Sequence, residues 1–201
     1  MSNFMLQTYQ AVDLQRLQSQ RAGETRLGQA LQFVNPDVAL PAALSEARVR
    51  GAKFAILGVP EDVGPRANFG NDGADLGFQA FLGRFLNVQA NQFVRASEIL
   101  LGEVNLHDVQ QKAASISLSD PDQLQALRAS VSTVDERVTS VVEQIFDAGL
   151  TPIAADAINL DPHCDFRLKE GRHSGNGFSY AQAEGFLDTY FVMGLHELKN
   201  A

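Results

Sequence analysis

The run Lys53-Phe-Ala-Ile-Leu-Gly-Val59 is short, nearly continuous in apolar residues, and lacks the polar alternation of a half-exposed strand. It fits a strand buried on both faces, which requires a parallel sheet covered on each side by other elements. Ile99–Val104 is a second candidate strand, apolar and short. Between the two, Ala74–Gln89 places Phe78, Phe81, Leu82 and Phe85 on one helical stripe, the pattern of a helix packed on a core. The longest helical signal opens at Asp120-Pro121, with Asp120 as cap and Pro121 in the first turn. It carries Leu124, Leu127, Val131, Val134, Val138, Val142 and Ile145 at steps of three and four, and stops at Gly149. Leu150–Ile153 reads as the strand that follows. Strands alternating with helices in this way predict an α/β fold with a mainly parallel sheet.

A second strand signal, Ile158–Asp161, comes too soon. Only Ala154-Ala155-Asp156-Ala157 separates it from Ile153, whereas a parallel crossover needs a dozen or more residues. Either the two runs form one long strand with Asp156 inside it, or a connecting segment is missing. An extended stretch of this kind leaves an exposed sheet edge, so self-association is expected.

Residues 1–50 are expected to be a helical segment packed on the core, and 51–201 the body of a single domain. Leu6, Tyr9, Val12, Leu14 and Leu17 lie mostly at helical spacing and predict one or two helices over Asn3–Val34. Pro36 and Pro41 lead to another helix near Ala42–Arg50. Ala181–Leu187 reads as a short late helix, and Tyr190–Leu195 as a last strand.

The net charge of -8 leaves no basic stripe to neutralise phosphates, so neither nucleic acid nor a membrane surface is the expected partner. A small molecule or another protein, including a second copy of the chain, fits better. The single cysteine, Cys164, excludes an internal disulfide, and the expected location is the cytoplasm.

Three stretches carry chemistry. In Asp161-Pro-His-Cys-Asp165 an extended backbone turns Asp161, His163 and Asp165 to one side, and Pro162 holds Asp161 in the extended region. Two carboxylates and an imidazole suit manganese or a similar divalent ion better than structural zinc. An acidic loop at a strand end would look the same. The loop Gly58–Gly73 follows the first buried strand, where open α/β folds place ligands, yet it lacks the spacing of a phosphate loop. Arg66 in it could instead pair with Asp62 or Asp72. After Asp165, the polar stretch through Tyr180 offers His173, Ser174 and Asn176 as donors and acceptors. Arg167 and Arg172 there are candidates for a substrate carboxylate. No Gly-x-Ser-x-Gly elbow supports a hydrolytic triad.

Gly58-Val-Pro-Glu-Asp-Val-Gly-Pro-Arg-Ala-Asn-Phe-Gly70, Asp161-Pro-His-Cys-Asp165 and Gly171-Arg-His-Ser-Gly-Asn-Gly-Phe-Ser179, taken in order, resemble the ureohydrolases: arginase, agmatinase and formimidoylglutamase. With Gly194-Leu-His-Glu197, the last two look most similar to the formimidoylglutamase-like branch. The resemblance spans Lys53–Glu197. It implies a three-layer α/β/α fold and a two-manganese centre that activates water against an amidine or guanidine carbon. The reaction expected on this basis takes formimidoylglutamate to glutamate and formamide. By the same resemblance Asp161, His163 and Asp165 are metal ligands, Asp165 and His173 are catalytic, and His173, Ser174, Asn176 and Arg167 bind substrate. The pattern departs from the family at Pro162, where alanine is usual. It also lacks the Gly-Gly-x-His segment, which would fall between Ile153 and Ile158, and the later Asp-x-Asp pair. With half the ligands present, one ion or none is expected, and the chain is expected to hydrolyse amidines far more slowly than a complete ureohydrolase or not at all. The alternative to a hydrolase is a non-catalytic remnant or fragment of ureohydrolase descent that binds metal weakly or serves as an assembly partner.

Overall fold

The computed structural model describes residues 5–19, 21–90, 97–116, 119–155, 169, 171–172 and 176–185. They form two compact units. One comprises the described residues of Met1–Pro60, Asp75–Leu106 and Glu136–Ala157; the other those of Glu61–Ala74, His107–Asp135 and Ile158–Ala201.

The first unit is built on a five-stranded mixed sheet, mostly parallel. Its centre is β3 (Phe54–Gly58), the strand expected from the apolar run, with Ala55, Ile56 and Leu57 buried. It pairs in parallel with β4 (Glu98–Val104) on one side and β5 (Thr151–Ala155) on the other. The far side of β4 carries two short strands. β1 (Leu6–Thr8) runs antiparallel along residues 102–104, and β2 (Gln32–Phe33) runs parallel along Ile99 and Leu100.

These strands correct the helices expected over Asn3–Val34. Among the described residues that segment holds β1, a 3-10 turn at Gln15–Leu17, the single-turn helix α1 (Leu27–Ala30) and β2. The apolar spacing imitates a helix because Leu6, Tyr9 and Leu14 all reach the core, but from a strand and the turn after it. What decides the local structure is the edge of β4, whose backbone groups need partners more than a short glutamine-rich segment gains by coiling. The first fifty residues supply two strands of the first unit's sheet.

A bulge in β4 admits β1. Opposite β3 the register jumps from Ile56↔Leu100 to Leu57↔Gly102, so Leu101 is an extra residue. Gly102 has φ 129°, and a Cβ there would lie 2.0 Å from the Gln7 carbonyl oxygen. Only glycine lets the two backbones meet at this point. Just beyond, the Tyr9 N–H donates to the Leu101 carbonyl at 2.9 Å.

Helix α2 (Leu40–Val49) buries Leu40, Ala43, Leu44 and Ala47, close to its expected span. Helix α4 (Gly77–Phe85) lies within Ala74–Gln89, and its aromatic stripe is core. Phe78 and Leu82 are buried with Tyr9, Leu14, Ile56, Leu86 and Leu100, while Phe81 and Phe85 pack against that cluster. The rings of Phe78, Phe81 and Phe85 stack in series.

Helix α6 (Pro121–Asp147) is the long helix read from the sequence. Asp120 caps it, Oδ1 accepting the Asp122 N–H at 3.0 Å, and Gly149 turns the chain out with φ 71°. The Leu150 N–H then closes on the Ile145 carbonyl at 3.1 Å, and the Arg48 guanidinium donates to the Gly149 carbonyl. The chain enters β5 directly, where the Thr151 N–H donates to the Lys53 carbonyl.

Among the described residues β5 pairs with β3 alone. Because Thr151 points its N–H at β3, alternation directs the backbone of Pro152 and Ala154 outward. Proline has no N–H to offer there, so this edge presents a weakened template for another strand. The expected strands at Ile158–Asp161 and Tyr190–Leu195 lie outside the described residues. The short late helix is α7 (Gly177–Ala183), a turn earlier than Ala181–Leu187. No helix among the described residues is long and apolar enough to cross a membrane.

Candidate functional site

The strand order decides where chemistry can gather. β3 connects to β4 on one side of itself, and β4 connects past β3 to β5 on the other, so the connections diverge at the β3/β5 boundary. Gly58 and Ala155, the last residues of β3 and β5, are register partners, and Gly58 also faces Glu103 of β4. The chain therefore leaves all three parallel strands at the same edge. From β3 it enters Val59–Gly73, and from β5 the segment that leads to Asp161.

Of the residues predicted for the site, Asp161, His163, Asp165, Arg167, His173 and Ser174 lie outside the described residues. Among the described residues no three His, Cys, Asp or Glu side chains form a metal-holding group.

Within the second unit, the loop after β3 is closed by its own acids. It contains the short helix α3 (Val63–Ala67), and the buried Glu61 accepts the Gly64 N–H at 2.7 Å through Oε2. Asp62 accepts the Gly73 N–H at 3.3 Å and lies 3.9 Å from Arg66. With its amide turned to satisfy both partners, Gln110 of α5 (His107–Ala114) also pairs with Asp62 through side chain and backbone. Arg66 donates to the Ala113 carbonyl at 2.8 Å. Of the alternatives the sequence left open for Arg66, the structure has the pairing with Asp62 and not with Asp72. His107 and Asp108 form the exposed first turn of α5.

Two of the candidate residues in the polar stretch after Asp165, Arg172 and Asn176, are described in the same unit. Asn176 is fully buried, and its Nδ2 donates to the Gly171 carbonyl at 2.8 Å, closing the stretch on itself. Arg172, a candidate for a substrate carboxylate, already holds carboxylates of the protein. It bonds Asp135 at 2.9 Å, pairs with Glu184, and sits 4.5 Å from the centre of the Tyr180 ring.

Sequence reasoning found no site in the N-terminal segment, yet the first unit holds a polar cluster there. The Tyr9 hydroxyl donates to Glu103 Oε2 at 2.6 Å and accepts from Gln79 Nε2 at 2.9 Å. Burial, and then the Glu103 carboxylate that takes its hydrogen bond, push the Tyr9 hydroxyl above its ordinary pKa. These partners stand 94 and 70 residues away in the chain, so no local pattern announces them.

No family model, curated protein or solved structure matches this chain.

Proposed function

We propose that this protein is a metal-dependent hydrolase of linear amidines of the ureohydrolase type, taking formimidoylglutamate to glutamate and formamide. The observation that carries the reading is the divergence of connections between β3 and β5. In an open α/β sheet a ligand binds outside the carboxyl ends of the strands at such a point. The chain leaves both strands there, one into Val59–Gly73 and the other toward Asp161–Asp165. A three-layer α/β/α arrangement belongs to the same reading, as does a cytoplasmic location.

Asp161, His163 and Asp165 are the proposed ligands. Two carboxylates with one imidazole make a donor set suited to manganese, which when bound lowers the pKa of its water. Asp165 and His173 carry protons in this scheme and Ser174 lines the substrate, while the buried Asn176 holds the Gly171 carbonyl. Arg167 meets the substrate carboxylate, its planar fork matching two oxygens at once.

A second reading, a non-catalytic chain of the same descent, is favoured by the reach of β5. The strand runs to Ala155, which leaves only Asp156 and Ala157 before Ile158, where that family's Gly-Gly-x-His ligand segment would fall. Two measurements decide between them: bound manganese per chain, and formamide released from formimidoylglutamate, with Asp161→Ala as control. Two ions with turnover on the order of 1 per second, both lost in the control, support the hydrolase. One ion or none without turnover supports the second reading. Manganese bound by the parent and bound equally by Asp161→Ala would remove the ligand assignment on which both rest.

A further inference from the structure

Next to the Tyr9 hydroxyl, within the first unit, lies an open cavity of about 420 Å³. Arg16, Asp13, Thr8 and Gln79 supply its polar lining, and Leu14 and Leu17 its apolar part. The volume falls in the lower range for small-molecule sites, about 300–1,000 Å³. The two charged residues decide what fits. Arg16 is exposed, forms no ion pair among the described residues, and lines the same cavity as Tyr9. Asp13 uses Oδ2 to accept the Gln10 N–H at 2.8 Å, leaving Oδ1 available. Gln79 spends its Nε2 on Tyr9, which leaves its carbonyl oxygen as an acceptor.

A simple anion would meet Arg16 but also face Asp13, and a simple cation would have the converse difficulty. A molecule carrying both charges satisfies both walls. We propose that this cavity binds a small zwitterionic amino acid, its carboxylate on Arg16, its ammonium on Asp13, and its side chain over Leu14 and Leu17. The site is separate from the metal reading and does not depend on it.

The test is NMR titration of the full chain with L-glutamine, with acetate and methylammonium as single-charge probes. Saturable shifts are expected at the amides of Thr8, Tyr9, Arg16 and Gln79, with acetate and methylammonium at least about tenfold weaker, as the loss of one charge-assisted contact implies. Arg16→Gln and Asp13→Asn should each weaken glutamine binding by about tenfold or more. Both positions are exposed, and asparagine can still accept the Gln10 N–H, so unchanged dispersion of the remaining resonances is expected. The proposal is overturned by the absence of saturable shifts at about 10 mM glutamine, ten times what half-fills a millimolar site. Acetate binding as tightly as glutamine, or full affinity in Arg16→Gln, would overturn it equally.

Discussion

Replacing Gly102 by alanine should release β1 from the sheet. The backbone at φ 129° lies outside the regions open to L residues, a strain on the order of 1–3 kcal/mol. The new methyl would also meet the Gln7 carbonyl oxygen at 2.0 Å, with the Thr8 Cα and Tyr9 nitrogen at 2.9 Å. All three are backbone atoms, so no side chain can swing aside, and β1 itself must retreat. It then loses its pairing with residues 102–104 and the Tyr9 N–H bond to Leu101, and the hydroxyl bond to Glu103 is disturbed. Counting only the Tyr9 N–H and hydroxyl bonds, at about 1 kcal/mol net each, the loss with the strain is at least roughly 3–5 kcal/mol. That is a large part of a domain's usual 5–15 kcal/mol or so. Urea denaturation reads the total, and amide exchange at Leu6–Tyr9 shows whether this strand opens first. The matching control is Gly83→Ala inside α4, where an added Cβ meets nothing within 4 Å. It should stabilise by about 0.5–1 kcal/mol. If Gly102→Ala stayed within about 0.5 kcal/mol of the parent, the size of an unremarkable surface change, the bulge would not be the device that admits β1.

Tyr9→Phe should cost about 1–3 kcal/mol, because Gln79 and the partly buried Glu103 each lose a partner. The folded hydroxyl holds its proton more tightly than the unfolded one, so this stability is complete below about pH 10 and is lost as pH rises through the folded value. Urea midpoints between about pH 9 and 11 should therefore fall more steeply in the parent than in Tyr9→Phe, and parallel slopes would refute the assignment. Asp120→Ala should lower stability by about 1 kcal/mol and speed amide exchange at Asp122 and Gln123; unchanged exchange would mean the cap is idle. Arg172→Met removes the contacts to Asp135, Glu184 and Tyr180, and solvent screening of these partly exposed groups limits the loss to about 1 kcal/mol. Faster exchange confined to α7 and its approaches is the expected sign, and uniform exchange across the second unit would count against it.

The sequence by itself determined the elements whose signals are local and strong. The apolar run of β3 predicts burial on both faces because nothing polar in it could face water, and Ala55, Ile56 and Leu57 are buried accordingly. The Phe78, Phe81, Leu82 and Phe85 stripe and the long helix with its Asp120 cap and Gly149 stop were equally legible, since helical periodicity and capping act within a few residues. Tertiary structure alone decided the N-terminal segment. Leu6–Thr8 is a strand because β4, almost a hundred positions later, offers an unpaired edge and a glycine bulge that lets it approach. The Arg66 and Arg172 side chains, open to a ligand on sequence grounds, were taken up by Asp62, Asp135 and Glu184 once folding brought those carboxylates near. Asp161, His163 and Asp165 are a ligand pattern proposed from sequence alternation alone, and they lie outside the described residues. The strand order, β5 beside β3 with β4 on the other side, was not legible. It rests on long-range pairing, and no stretch of sequence carries that information alone.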